Sequence, residues 1–404
     1  MKKIGVISSL LFLQSLLLHC NTTIYGQTGY RNIQVSLLTT SPGDKLHSVF
    51  GHSAVRVKNS YDNTDFVYNY GTFDFDDPSF YFGFIRGKLM YRLSKAPFDL
   101  VLQQAKLDNR SLIETTLNLS PVEKYEMTQF LEVNYLPRNR DYLYDFLYNN
   151  CSTKLLELLS VSVSDSLVYN QLAIPGMSFR KLINIYLKDK PWTDMGVDFL
   201  MGLPADRRAK GKDVSFLPDY LHLLIKNIHI KQEFGFEKSL ALPDNVYFQY
   251  YPSDVKPLIH PGIILWPLTL CLLISLIFDT YIQGFFRIFR KFVLISAGSL
   301  GVLILSLWLL TDHYIFNFNT NLLWANPLLL LIVFLKESPG QMNSKKFFML
   351  LVYGTTLLVM LGILTTMLVV RNFNLTALAS MIAISLVNRI YIFRKIYKDP
   401  FYKP

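Results

Sequence analysis

The chain is organised around one short stretch, Tyr148-Asn149-Asn150-Cys151-Ser152-Thr153-Lys154. Of its three cysteines, Cys20 lies in a segment that resembles an export signal, and Cys271 lies in an apolar run. Cys151 is therefore the only cysteine expected in the mature exported domain, where it has no disulfide partner. An unpaired thiol in an oxidising compartment points to nucleophilic chemistry, and the alternative is a small buried apolar side chain.

The residues that follow Asn150 predict a helix whose first turn carries Cys151. Its buried side is formed by four leucines, Leu155, Leu156, Leu158 and Leu159. The free N–H groups and the positive end of the helix dipole stabilise a thiolate at such a position, and Lys154 adds a cation. We therefore interpret Cys151 as a nucleophile.

A thiolate nucleophile needs a base, and His52 is the best candidate among the histidines of the exported domain. His52 begins a predicted strand, and a turn rich in Asn, Asp and Ser leads to a second strand. Antiparallel pairing of these strands would bring Asn69 within reach of His52. A third residue orients the imidazole in such sites, and we assign Asn69 ahead of Tyr68 and Tyr70.

The remainder of the exported domain predicts a mixture of strands and helices. We expect a strand at Ile33–Leu38, a helix over Phe98–Asp108, and a capped helix from Ser120 to about Tyr135. The glycines and acids of Gly196–Asp206 predict a loop between helices. The sequence contains no metal-ligand cluster, glycine-rich phosphate loop or Gly-x-Ser-x-Gly elbow, so we expect neither a metal nor a cofactor.

The first 26 residues predict a signal peptide. Two lysines follow Met1, and the apolar run Ile4–Leu18 is shorter than the about 20 residues of a typical membrane span. Polar residues follow, and we expect cleavage near Gly26-Gln27. Two alternatives are lipidation at Cys20, although the preceding His19 is not the small residue of such signals, and an uncleaved signal anchor.

From Leu258 onward the sequence has the composition of a membrane domain. The whole chain is 51% hydrophobic and 17% charged, with a net charge of +10. Twelve Lys/Arg and four Asp/Glu follow this point, so +8 of that charge lies between and after apolar runs. This pattern orients membrane spans and argues against a nucleic-acid partner. Five spans are predicted, at Pro261–Tyr281, Phe292–Leu310, Leu322–Leu335, Phe347–Val370 and Leu375–Phe393.

These patterns divide the chain into a signal peptide (1–26), an exported catalytic domain (27–257) and a transmembrane helical domain (258–404). The basic loops between spans and the basic C-terminal tail are predicted to be cytoplasmic, which agrees with five spans. The outer loop Asp312–Asn321 is expected on the same side as Cys151. It is either an aromatic connector or a part of the site that binds substrate through His313 and Asn321.

Three motifs in this order resemble the N-terminal periplasmic domain of the Lnb-type family of bacterial lipoprotein N-acyltransferases and transacylases. They are Ser48–Val57, Tyr68–Phe73 and Tyr144–Ser152. The resemblance implies an α+β papain-like, circularly permuted cysteine hydrolase/acyltransferase fold, in which the histidine precedes the cysteine. An α-helical membrane domain follows it.

Carried onto this sequence, the family pattern makes Cys151 the nucleophile and His52 the base, while Asn69 matches the third residue by position alone. Within the same motifs we assign Asn150, Tyr70 and Arg56 to substrate binding.

The resemblance also implies a reaction. An acyl chain passes from a phospholipid donor to Cys151 as a thioester, and then to the α-amine of the diacylglyceryl-modified N-terminal cysteine of a lipoprotein. The expected location is the bacterial inner membrane, with the catalytic domain in the periplasm. The alternatives are an intramolecular lipoprotein transacylase, a cell-envelope cysteine peptidase or lipid hydrolase of the same fold, and a non-enzymatic membrane scaffold.

Overall fold

A computed structural model describes the protein over ten segments of the chain. They are residues 32–72, 83, 86–88, 90–163, 167–169, 176–232, 236–251, 259–277, 283–335 and 342–398. The predicted signal peptide, Cys20 and the predicted boundary between 257 and 258 lie outside these segments and stay predictions.

The described residues form two compact units. The first contains the described residues of 32–72, 90–169 and 209–251, and the second contains those of 83–88, 176–208 and 259–398.

An antiparallel sheet forms the frame of the first unit. The strands of this unit are β1 (Ile33–Thr40), β2 (His52–Asn59), β3 (Thr64–Thr72), β4 (Met90–Pro97), β5 (Leu112–Leu117), β6 (Asp141–Leu143), β7 (Leu167–Tyr169), β8 (Ile228–Lys231), β9 (Glu237–Ser239) and β10 (Ala241–Phe248). Seven of them lie in the order β10-β5-β1-β2-β3-β4-β6, and β7, β8 and β9 form a small second sheet. The pairing of β2 with β3, which places Val55 opposite Tyr68, confirms the predicted hairpin.

Helices cover both faces of the large sheet. The helices of the first unit are α1 (Phe98–Leu107), α2 (Pro121–Tyr135), α3 (Cys151–Ser162) and α6 (Pro218–Lys226). Because neighbouring strand residues point to opposite faces, Tyr68 and Val67 belong to different cores. Tyr68 packs in the core that α2, α3 and α6 share, and Val67 packs in the core that α1 covers.

The structure confirms two of the predicted helix starts. The Ser120 hydroxyl accepts the N–H of Glu123 at 3.3 Å, and the Glu123 carboxylate accepts the N–H of Ser120 at 2.6 Å. This reciprocal cap, followed by Pro121 at the first helical position, confirms the predicted start of α2. The predicted helix from Phe98 is confirmed by α1.

The second unit begins with two helices, α4 (Phe179–Leu187) and α5 (Pro191–Leu200). The prediction of a loop over Gly196–Asp206 was wrong for its first half, because α5 continues through Gly196 to Leu200. An added Cβ at Gly196 would meet no atom within 4 Å, so this glycine does not mark a turn. The remaining residues form a 3-10 turn at Leu203–Asp206.

Asp198, on α5, is the centre of a buried polar cluster in the second unit. It is 1% exposed and accepts a hydrogen bond from Arg180 at 3.0 Å. Asn372, which precedes the last helix, donates to its other carboxylate oxygen at 2.9 Å. Arg180 also binds Asp206 at 2.7 Å. The acids of this segment therefore hold the unit together.

Helices make up the rest of the second unit. They are α7 (Pro261–Ile274), α8 (Gln283–Leu310), α9 (Leu328–Phe334), α10 (Met342–Thr365) and α11 (Phe373–Lys398). Within the described residues, three stretches are long and apolar enough to cross a membrane: Gly284–Leu310, Lys346–Val370 and Phe373–Arg394. A fourth results if Tyr314–Leu323 and Leu328–Phe334, bent by 41°, count as one span.

The second unit is therefore a helical membrane domain with three to four candidate spans. The first predicted span, Pro261–Tyr281, corresponds to a helix of 14 residues, which is shorter than a bilayer requires. The third corresponds to the bent pair of short helices. Five spans remain a prediction.

Candidate active site

Cys151 is the first residue of α3, and Asn150 is the cap of that helix. The Asn150 side-chain oxygen accepts the N–H groups of Ser152 and Thr153, each at 2.9 Å. Its amide nitrogen donates to the carbonyls of Phe146 and Phe216, each at 2.8 Å. The predicted helix start is confirmed. Because the cap takes the second and third N–H groups, it leaves the N–H of Cys151 unused.

His52 begins β2, directly after Gly51. Gly51 has a φ of 81°, and a Cβ there would lie 2.9 Å from the carbonyl oxygen of Thr40 on β1. A glycine is therefore needed for the chain to turn into the strand at this point. His52 Nε2 lies 2.6 Å from Asn69 Oδ1, as the predicted pairing of the two strands requires.

The contact with Asn69 selects the tautomer of the neutral imidazole. An amide oxygen only accepts, so Nε2 of His52 carries the hydrogen and Nδ1 is left to accept a proton from the thiol. Asn69 thus orients the ring and fixes which nitrogen is free to accept a proton.

The thiol of Cys151 and the imidazole of His52 are hydrogen-bonded and influence each other's charge. Burial raises the pKa of Cys151, but the charge and hydrogen bond of His52, together with the Ser53 N–H and the Ser152 hydroxyl, lower it to about 7. Burial lowers the pKa of His52, and Cys151 and Asn69 raise it above its ordinary value. A thiolate–imidazolium pair is therefore accessible near neutral pH.

Gly71, near the end of β3, lets the two reactive groups approach the strand. Its φ is 101°, and a Cβ there would lie 3.7 Å from Cys151 Cβ and 3.8 Å from His52 Cε1. The sequence shows this glycine only as the residue that follows a predicted strand, and we did not predict its place beside the sulfur.

Two serines complete the packing around the thiol and were not predicted. Ser152 is fully buried, and its hydroxyl lies 3.1 Å from that of Ser53 and 3.9 Å from Cys151 Sγ. Each serine neighbours a predicted catalytic residue in the sequence. That adjacency is the only signal in the sequence that could have identified them.

Aromatic residues of β4 and of the segment before α3 lie near the thiol. The rings of Tyr91 and Tyr144 are 4.3 Å apart. Burial and, to a lesser degree, the charge of Cys151 raise the pKa of Tyr91 to about 12 and that of Tyr144 well above its ordinary value. These neutral phenols give the Cys151 thiol a largely apolar surrounding.

The three substrate-binding candidates of the first unit are buried side chains. Asn150 is 3% exposed, and its amide is used by the cap of α3 through the oxygen and by the carbonyls of Phe146 and Phe216 through the nitrogen. The Tyr70 hydroxyl accepts from Asn134 at 3.0 Å within the core. Arg56 binds Asp65 at 2.5 Å and Glu114 at 3.1 Å. We therefore propose positioning and structural roles for them in place of substrate binding.

The two candidates from the outer loop belong to the second unit. Asn321 is fully buried, donates to the carbonyls of Asp198 and Phe199, and accepts from the indole of Trp324 at 2.9 Å. His313 is partly exposed, and its ring lies 5.0 Å from that of Phe316. Asn321 thus anchors the loop within its own unit, whereas the assignment of His313 to substrate binding stays a prediction.

Comparison with known protein families gives two matches. The Lnb N-terminal periplasmic domain matches residues 22–184, which include Cys151, His52 and Asn69. The Lnb transmembrane domain matches residues 253–400. No curated protein and no solved structure matches the chain. With a sheet-rich domain that carries a cysteine–histidine pair, followed along the chain by a helical membrane domain, the chain belongs to the Lnb family and is a membrane protein with a periplasmic N-terminal domain.

Proposed function

We propose that the protein is a membrane-bound lipoprotein N-acyltransferase that carries an acyl chain on Cys151. The observation that supports this most directly is the hydrogen-bonded series Cys151–His52–Asn69, in which the pKa of the thiol is lowered to about 7. Membership of the Lnb family favours an enzyme that modifies lipoproteins. The acyl donor in this proposal is a phospholipid, and the acceptor is a diacylated lipoprotein.

In the first half-reaction, His52 Nδ1 takes the proton of the Cys151 thiol, and the thiolate attacks an ester carbonyl of the phospholipid. The carbon–sulfur bond forms, and the carbon–oxygen bond to glycerol breaks. His52 returns its proton to the departing oxygen, which leaves as a lysophospholipid. The N–H of Cys151, which the cap leaves unused, is placed to stabilise the oxyanion.

In the second half-reaction, the neutral α-amine of the lipoprotein attacks the thioester. His52 takes a proton from the attacking nitrogen, the amide bond forms, and the carbon–sulfur bond breaks. The sulfur leaves as the thiolate beside the imidazolium, and return of the proton from His52 to the sulfur restores the starting thiol and neutral imidazole. No net oxidation or reduction occurs.

The fold and the cellular location belong to the same proposal. The order His52 before Cys151, with the cysteine at a helix start beside a strand that carries the histidine, supports a papain-like, circularly permuted domain. Five spans and the inner membrane complete the proposal, because both proposed substrates carry acyl chains that are held in a bilayer.

The test uses cells that lack any other lipoprotein N-acyltransferase. Lipoprotein N-terminal peptides are weighed by mass spectrometry after expression of Cys151→Ser, His52→Ala or Asn69→Ala. We expect Cys151→Ser to lose N-acylation entirely and His52→Ala to lose about 100-fold or more. Asn69→Ala should lose less, because the imidazole base remains and only its orientation and tautomer preference are lost.

Cys271→Ser is the matched control, since Cys271 is the other thiol of the described residues and is exposed. It should acylate normally. Undiminished N-acylation in Cys151→Ser would refute the thioester mechanism, and undiminished activity in Asn69→Ala would remove only the third residue.

A further inference from the structure

Arg110 lies at the end of the large sheet where His52 begins. It follows α1, and the chain turns toward β5 through Asn109, whose φ is 52°. The Nε of Arg110 donates to the carbonyl oxygen of Ser41 at 2.8 Å. Ser41 directly follows Thr40, and Thr40 is the residue of β1 that lies opposite His52. The guanidinium is thus held at Ser41, one residue after Thr40, the strand partner of His52.

The strand register also places Arg110 at the His52 end of the sheet. Thr40 of β1 lies opposite His52 of β2 on one side and opposite Leu112, the first residue of β5, on the other. Arg110 precedes Leu112 by two residues, so it lies at the same end of the sheet as His52.

The guanidinium has hydrogen-bonding capacity left over. Its Nη2 is buried and has no hydrogen-bond partner, although the residue as a whole is partly exposed. Buried donors are normally paired, and an unpaired guanidinium nitrogen suggests that a ligand supplies the acceptor. Gly43 makes room for the side chain, because a Cβ there would lie 3.1 Å from Arg110 Cδ.

Arg110 acts on the reactive pair through its charge rather than by contact. Its charge lowers the pKa of His52, and burial lowers the pKa of Arg110 against the smaller opposing effects of the charges of Asp108 and Cys151. The hydrogen-bond partners of the sulfur are His52, Ser53 and Ser152. An anion that binds Arg110 would therefore lie beside the nucleophile without displacing its base.

Resting on the acyltransferase function proposed above, we propose that Arg110 binds the phosphodiester of the glycerophospholipid acyl donor. Guanidinium groups recognise phosphate oxygens through directed, charge-assisted hydrogen bonds. The phosphodiester is the anionic group that the donor carries and the diacylglyceryl group of the lipoprotein lacks. Arg110 therefore selects the donor and places its ester at Cys151.

Binding to a full-length protein that cannot react tests this role. Cys151→Ala and Cys151→Ala/Arg110→Gln are titrated in detergent with a short-chain phosphatidylglycerol and with a diacylglycerol of the same chains. We expect Arg110→Gln to weaken phosphatidylglycerol binding by about 10- to 100-fold and to leave diacylglycerol binding unchanged. Arg110→Lys keeps the charge but not the paired N–H geometry of the guanidinium. Its affinity for phosphatidylglycerol should therefore lie between those of the parent and Arg110→Gln.

Arg138→Gln is the matched control, because Arg138 is an exposed arginine of the same unit. It should bind both lipids as the parent does. Equal weakening of both lipids by Arg110→Gln, or no change in either, would overturn the assignment to phosphate.

A second measurement, of acyl-enzyme formation, distinguishes a failure of the Arg110 role from a failure of the proposed acyltransferase function. Mass spectrometry of the intact protein, with Cys151 present, follows the gain of an acyl chain from phosphatidylglycerol. If binding depends on Arg110 but no thioester forms, the transferase proposal fails and the phosphate site stands. If Arg110→Gln forms the thioester at the same phosphatidylglycerol concentrations as the protein that retains Arg110, the transferase proposal stands and the role of Arg110 fails.

Discussion

Arg180 of the second unit and Arg110 of the first unit differ in how many of their guanidinium nitrogens have a hydrogen-bond acceptor. Arg180 is 3% exposed, and its three nitrogens donate to side-chain oxygens of Asp198 and Asp206 and to backbone carbonyls. Arg110 donates from Nε to one carbonyl, and its buried Nη2 has no partner. The first arginine is satisfied by the protein, and the second is not.

The same contrast holds for the groups around them. Asp198 accepts hydrogen bonds on both carboxylate oxygens, from Arg180 and Asn372 among others. Cys151 and His52 instead form a pair in which either the sulfur or the imidazole can carry the proton. A closed polar network stabilises a fold, whereas an open one beside a titrating pair is equipped for chemistry. Three predictions test this division.

The largest effect is expected for Arg180→Met. Loss of the guanidinium leaves Asp198 buried without its counter-charge, which should lower the unfolding free energy of the second unit by about 3–5 kcal/mol. All four tryptophans lie in that unit, at 192, 266, 308 and 324, so their fluorescence during denaturation reports on it alone. Arg138→Met is the control, and an unshifted midpoint in Arg180→Met would mean that the network is not stabilising.

A smaller effect is expected for the reactivity of Cys151 in His52→Ala. The lowered pKa means that the thiolate fraction rises as the pH passes through about 7, so alkylation by iodoacetamide should reach half its maximum there. Without His52 the midpoint should move up toward the ordinary thiol value near 8.5, which slows alkylation at pH 7 by about tenfold or more.

The alkylation measurement uses a Cys271→Ser background, so that Cys151 is the thiol observed in the described part of the chain. The exposed His47→Ala is the control and should leave the profile in place. An identical profile in His52→Ala would show that the imidazole does not ionise the thiol.

The smallest effect is expected for Asp194→Asn. Burial and the neighbouring Asp198 carboxylate raise the pKa of Asp194 to about 7, against the opposing effect of Arg180. An acid with a raised pKa in the folded state favours folding when protonated, so this stability is present below its unfolded value near 4 and is lost as the pH rises through about 7.

The melting temperature of the second unit, followed by tryptophan fluorescence, should therefore fall between pH 5 and 8 in the wild type and fall less in Asp194→Asn. The effect is modest because the side chain is partly exposed. The exposed Asp189→Asn should behave as the wild type. A steeper fall in Asp194→Asn would contradict the proposed sign.

Local signals explain what the sequence predicted well. The helix start at Asn150, the cap at Ser120 and the hairpin that brings Asn69 to His52 each depend on residues close together in the chain. These features carry most of the candidate site. Turn and cap chemistry determine them before any distant contact forms.

Distant contacts explain what was missed. Arg110 reaches the site through the pairing of strands far apart in sequence, and no local pattern marks it. The helical half of Gly196–Asp206 was predicted as a loop because glycine and acids suggest turns, whereas tertiary bonds from Arg180 to Asp198 hold it in a helix. Hydropathy likewise predicted an apolar span at Leu322–Leu335 but not the bend of 41° between Tyr314–Leu323 and Leu328–Phe334.

The cap of α3 has a consequence for biogenesis. The Asn150 amide that holds the start of the helix is itself held by the carbonyl of Phe216, more than sixty residues further along the chain. Export is vectorial, so Asn150 emerges long before Phe216 does. The thiol of Cys151 therefore gains its final placement only after the chain through Phe216 has emerged.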